Sequence, residues 1–118
     1  MSLLIQYLLA AVALHTSNAH LHLLRSSPAA NDTVAAAPAA IKFWFSERPE
    51  LAITSVKLMS AAGTSVQLAP LAVDTGAHGP LVAAVRGPVA KGTYTVTWRT
   101  TAMDGHPANG KFDFVVSH

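Results

Sequence analysis

The chain has 118 residues, with 8 Lys and Arg against 6 Asp and Glu, six histidines and no cysteine. That length holds one domain at most, and the lack of thiols excludes disulfides, thiolate metal sites and cysteine nucleophiles together. A net charge of +2, with 12% of residues charged and no basic run, excludes the electrostatic footprint of a nucleic-acid binder.

Residues 1–14 read MSLLIQYLLAAVAL. This apolar run is too short to cross a bilayer, which takes about 20 residues. It fits the apolar part of a secretory signal peptide, and Ser17-Asn18-Ala19 puts small residues at the third and first positions before a cut. The segment departs from the usual leader in carrying no Lys or Arg ahead of the run. Residues 1–19 are expected to be the leader, and residues 20–118 a mature domain that opens on His20. No later stretch is long and apolar enough for a membrane span, so a soluble, exported domain is expected, as a monomer.

Beyond the leader the apolar pattern has period two. A weak strand is expected over residues 21–26, followed by an Ala-rich loop over 29–40. Ile41, Phe43 and Phe45 then alternate with Lys42 and Trp44, and Val56 and Leu58 with Ser55 and Lys57. Weaker strands are expected at 65–68 and 81–85, with a loop or irregular edge over 69–77. Tyr94, Val96 and Trp98 alternate with threonines and Arg99. Phe112, Phe114 and Val116 close the series. Each alternation is that of a half-buried strand. Turn pairs separate them: Ser27-Pro28, Arg48-Pro49, Ala62-Gly63, Gly79-Pro80, Gly87-Pro88, Lys91-Gly92 and Asp104-Gly105. About seven short strands punctuated this way predict an all-β sandwich. Trp98 is expected in the core. Trp44, out of phase with its neighbours, is expected on the other face or partly exposed.

Enzymatic chemistry finds little support. There is no G-x-S-x-G elbow, no phosphate-cradling glycine loop and no evident carboxylate pair among six acids. The stronger constellation is His20, Asp104 and His106. Asp104-Gly105-His106 falls in the turn between the two best strands, where residues two apart can converge. A chain that starts at His20 adds its α-amine, which closes a chelate ring with its own imidazole. Two imidazoles, an amine and a carboxylate make a tetragonal N,O set suited to Cu(II). Against this, Asp-Gly is a common turn pair and His106 next to Pro107 reads equally as a solvated loop residue. His20 and His22 read equally as a polar strand face. His78 falls in a Gly-containing loop, His15 leaves with the leader, and His118 is terminal.

At both ends the sequence resembles the CopC family of periplasmic copper-resistance proteins. The opening carries His20-Leu21-His22-Leu23, Ser27-Pro28-Ala29 and Phe45-Ser46-Glu47. The close carries a Gly-Thr-Tyr-x-Val-x-Trp-Arg strand from Gly92, then Asp104-Gly105-His106-Pro107, then Gly110-x-Phe112-x-Phe114. The resemblance runs over residues 20–117. It implies a Greek-key, immunoglobulin-like or cupredoxin-like sandwich or barrel with one Cu(II) site at one end. His20 would give its amine and imidazole, His106 an imidazole and Asp104 a carboxylate, with His22 orienting a ligand from outside or facing solvent. Some members bind Cu(I) in a Met-rich loop. Here Met59 and Met103 are isolated, so no such site is expected, and Met103 is read as a gap-filler. The implied role is a non-enzymatic copper carrier or buffer in the periplasm, serving a separate inner-membrane copper transporter. The alternative is a secreted β-sandwich interaction module whose histidines are incidental.

Overall fold

The computed structural model describes residues 21–74 and 79–118. The expected leader, with His20 and His78, lies outside the described residues. Among the described residues nine strands form two sheets: β1 (Leu23–Ser27), β2 (Thr33–Val34), β3 (Ala40–Phe45), β4 (Ser55–Ser60), β5 (Ser65–Val66), β6 (Ala72–Val73), β7 (Leu81–Ala84), β8 (Gly92–Thr101) and β9 (Pro107–Val116). The sheet orders are β1-β3-β7-β6 and β2-β9-β8-β4-β5. The chain passes repeatedly from one sheet to the other, as in a Greek-key sandwich.

The period-two segments became the long strands because their alternation lets one row of side chains enter a shared core. Ile41, Phe43, Leu58, Tyr94, Val96, Trp98, Phe112, Phe114 and Val116 are all buried. Phe43 meets Phe112 edge-on at 6.3 Å between ring centroids, and Tyr94 stacks on Phe114 at 5.8 Å. The Tyr94 hydroxyl donates to the Ala90 carbonyl at 2.7 Å, fixing the entry to β8 as tyrosine corners do in sandwiches. Trp44 is half-buried on the opposite face, where the Arg25 guanidinium lies 4.0 Å over its ring.

Two stretches read as loops each contain a two-residue strand. β2 runs parallel to the end of β9, and β6 pairs with β7. Neither has enough residues to show an alternation. Both exist because a longer neighbour offers backbone groups to pair with. A 3-10 turn, Leu51–Ile53, also went unread in the sequence.

One glycine of the last strand is set by its neighbour. Gly110 pairs with Trp98, and a Cβ built on it would lie 2.8 Å from Cζ2 of the indole. Gly110→Val is expected to destabilise the domain by about 1–3 kcal/mol, the usual cost of overpacking a filled site. Urea denaturation followed by Trp fluorescence checks this; an unchanged midpoint would show that the indole moves aside at no cost.

Candidate metal centre

The two sheets bring the start of β1 and the β8–β9 turn to the same end of the sandwich. Leu23 pairs with Phe45, so the entry to β1 lies beside the exit of β3. Phe43 packs on Phe112, which pairs with Val96, while Phe45 packs on Trp98 at 5.0 Å. Two residues forward on β3 therefore match two residues forward on β8. Both strands leave the core toward one end. The loop before β4 is fastened there too: the Thr54 hydroxyl bonds the hydroxyl of buried Thr100 at 2.7 Å.

Beyond Thr101, which pairs with Pro107, the chain reverses through Ala102–His106. The Gly105 N–H donates to the Ala102 carbonyl and the Ala102 N–H to the His106 carbonyl, each at 2.9 Å. Gly105 has φ +88 with open space around it, so the turn needs its left-handed backbone and not its small size. Within this turn Asp104 clasps His106 twice. Its Oδ1 accepts the His106 backbone N–H at 3.0 Å, and its Oδ2 lies 3.0 Å from Nδ1 of the ring. The first is the Asx bond that makes Asp a turn former. The second fixes the imidazole, as carboxylates do for histidines that bind metal through their other nitrogen.

The pair stands in solvent, with 63% of the His106 side chain and 50% of the Asp104 side chain exposed. An exposed ion pair contributes little to stability, so what the clasp supplies is orientation of the ring. The hollow walled by Trp44, Glu47, Arg48 and Pro49 does not include either residue.

Of the residues singled out in the sequence, the structure brings Asp104 and His106 together and carries His22 to the same end. His20 lies outside the described residues. Among the described residues no three His, Asp or Glu side chains form a metal-binding group. His22 is exposed, but its backbone is held. Its N–H donates to Ser46 Oγ at 3.0 Å and its carbonyl accepts the Ser46 N–H at 2.8 Å. Nothing local in the sequence marks Ser46 for this role, since a contact across 24 residues leaves no local pattern. The gap-filler reading of Met103 is corrected: it is 83% exposed at the hairpin tip, because the turn that buries Ala102 points the next side chain outward.

These features define a two-sheet β-sandwich whose first strand and last hairpin meet at an exposed histidine–carboxylate end. Residues 23–117 match the CopC domain, and the chain belongs to the CopC family. It is 33% identical to copper resistance protein C of Pseudomonas syringae pv. tomato over 105 residues, covering 85% of this chain and 82% of that protein. It is 34% identical to protein YobA of Escherichia coli K12 over 98 residues, covering 83% and 79%. The crystal structure of CopC from Methylosinus trichosporium OB3b superposes with a TM-score of 0.74 at 31% identity, covering 83% of this chain and 94% of that one.

Proposed function

We propose that the chain is a copper-resistance protein that holds one Cu(II) at this end of the sandwich, as a carrier or buffer in the periplasm. In this reading residues 1–19 are removed on export. His20 then supplies its amine and imidazole, His106 an imidazole and Asp104 a carboxylate. The observation that carries the reading is the Asp104–His106 clasp at the end to which β1 returns the N-terminus. The donors fit the metal: neutral imidazoles, an amine and a carboxylate are the N,O set that Cu(II) takes in tetragonal geometry. With Nδ1 against Asp104, His106 would offer Nε2. Asp104 can orient that ring, or turn one oxygen to the metal while the other keeps the Asx bond.

An exposed turn suits delivery. A metal held there can be reached by the ligands of an acceptor, such as a separate inner-membrane copper transporter.

Titration of the chain starting at His20 with Cu(II), read by electron paramagnetic resonance, tests the proposal. One ion per chain with a tetragonal, nitrogen-rich signal is expected. Protons compete for the amine, whose ordinary pKa is about 8. Affinity is therefore expected to fall as pH drops from 8 to 5. Binding that is absent, or indifferent to pH over that range, would overturn the site.

A further inference from the structure

A strand at the edge of a sheet presents unpaired N–H and carbonyl groups, and most edges of this fold are blunted in the usual ways. β5 and β6 are two residues long. β1 carries a bulge between Leu23 and Arg25. β9 is different. β2 covers it only at Val115 and Val116. The rest of β9 runs beside β8 without a bulge, and among the described residues no strand lies on its other side.

The bonds at the covered end show which backbone groups of β9 face outward. The Val115 N–H donates to the Asp32 carbonyl at 2.9 Å, and the Asp113 carbonyl accepts the Asn31 N–H at 2.7 Å. Backbone direction alternates along an antiparallel strand, so the outward groups belong to the odd-numbered residues. On the uncovered stretch these are both groups of Asn109 and of Lys111, the Asp113 N–H and the Pro107 carbonyl. None of them has a hydrogen-bond partner among the described residues.

This row has a gap at each end. Pro107 has no N–H to give, and the Asp113 carbonyl is already taken by Asn31. The midpoint between them is Gly110. A two-fold axis there lays the stretch antiparallel on a second copy of itself, and the two gaps fall opposite each other. The Asp113 N–H meets the Pro107 carbonyl of the second copy. Asn109 exchanges both bonds with Lys111 of the second copy. Other registers fit less well. Centring on Lys111 sets that side chain against its own copy, a like-charge pair. Centring on Phe112 needs the Asp113 carbonyl and the Val115 N–H, which Asn31 and Asp32 hold. Centring nearer Pro107 shortens the paired stretch. Along the same edge a groove of about 440 Å³ lies between β1 and β9, walled in part by Leu23, Leu24, Trp98, Gly110 and Phe112. An added strand covers its open side, so apolar burial supports the pairing.

We propose that the chain pairs with a second copy of itself along this edge, joining two five-stranded sheets into one about a two-fold axis at Gly110. The contact is one strand wide and falls below the ~1,200 Å² of a standard stable interface. The dimer is therefore weak, and the dilute chain is the monomer expected from the sequence. Because the paired strands run antiparallel, the two Asp104–His106 turns point to opposite ends of the dimer. The inference uses backbone groups and stands apart from the copper reading.

The test is sedimentation equilibrium from micromolar to millimolar concentration, joined to amide hydrogen exchange read by NMR. It uses the chain starting at His20, which holds every strand described above, in EDTA to exclude pairs bridged by metal. A reversible monomer–dimer equilibrium is expected. The amides of Asn109, Lys111 and Asp113 are expected to exchange more slowly as concentration rises. Those of Ala108, Gly110 and Phe112 face β8 in either state and are expected to stay unchanged. Asn109→Pro is expected to abolish the dimer, because it removes an outward N–H and leaves the ladder with β8 intact. Asn109→Lys changes only an exposed side chain and keeps the test decisive if the proline disturbs the fold. It sets Lys against Lys111 of the second copy in both symmetric pairs, and is expected to weaken the dimer roughly 2–30-fold. A chain that stays monomeric at millimolar concentration would overturn the proposal. So would a dimer that leaves those three amides unprotected, or one that Asn109→Lys does not weaken.

Discussion

The chain starting at His20 is expected to bind Cu(II) tightly, and the same chain with Ala19 left in front of it is expected to lose most of that affinity. A peptide bond converts the amine of His20 into an amide. The amide nitrogen has no lone pair to offer unless it is deprotonated, and the chelate ring between amine and imidazole cannot close. One alanine thus removes a donor and also the pre-organisation of the imidazole beside it. The expected loss exceeds the ~10–100-fold that follows removal of a group outside the ligand sphere. The fold should be indifferent, because Leu21 is already buried and the added residue lies beyond it. Paired Cu(II) titrations of the two forms, each confirmed by mass, measure the difference. Equal binding would place the metal elsewhere. It would also leave the interaction-module reading, in which the histidines are incidental, as the better account of the domain.

On the proposed cleavage, the chain that keeps residues 1–19 and the chain starting at His20 are expected to differ in Cu(II) binding though not in fold. While residues 1–19 are attached, the nitrogen of His20 is part of the Ala19–His20 peptide bond. A site that depends on the amine is then completed only by cleavage. Cu(II) binding at this site would then be confined to the compartment in which residues 1–19 are removed.

Legibility of the fold in the sequence followed strand length. β3, β4, β8 and β9 alternate long enough for one face to declare itself, and the buried rows of Phe43, Leu58, Val96 and Phe114 are the rows the alternation picked. β2, β5 and β6, at two residues each, carry almost no periodic signal. Their pairing is decided by the neighbouring strand. β5 was anticipated over a longer span than it has, and the rest of that span survives only as the isolated bridge between Leu68 and Val85.

At the candidate site the local part was legible and the long-range part was not. Asp-Gly-His declares a turn with a carboxylate two residues from an imidazole, and the clasp of Asp104 on His106 is what that spacing allows. The exposure of Met103 was misread because an apolar side chain beside two strong strands is more often drawn into the core. The hold of Ser46 on His22 was invisible, since it joins two segments that are distant along the chain. The reason the first strand and the last hairpin share an end lies in the packing of Phe45 on Trp98, which no single segment encodes.

That hold on His22 leads to the second large effect: His106→Ala is expected to weaken Cu(II) binding strongly, and His22→Ala much less. The reverse ranking would follow from a different site, in which an unfolded N-terminus wraps Cu(II) with its amine, two deprotonated backbone amides and the imidazole of the third residue. In a chain opening on His20 that third residue is His22, and the amide nitrogens are those of Leu21 and His22. The fold opposes this arrangement at both positions. Leu21 is 4% exposed and belongs to the core cluster. The His22 N–H donates to Ser46 Oγ, and the His22 carbonyl accepts the Ser46 N–H. The restraint on the second of these amides is a side-chain contact and not strand pairing. A serine side chain supplies it at His22, just ahead of β1. Wrapping the metal would require pulling Leu21 out of the core, which costs about 1.5–3 kcal/mol in apolar burial alone, and breaking the Ser46 contacts. The folded site needs none of this, because the Asp104–His106 turn is already set. Cu(II) titrations of the two variants in the chain starting at His20 decide between them. A larger loss in His22→Ala than in His106→Ala would show that the N-terminus leaves the sheet to bind copper.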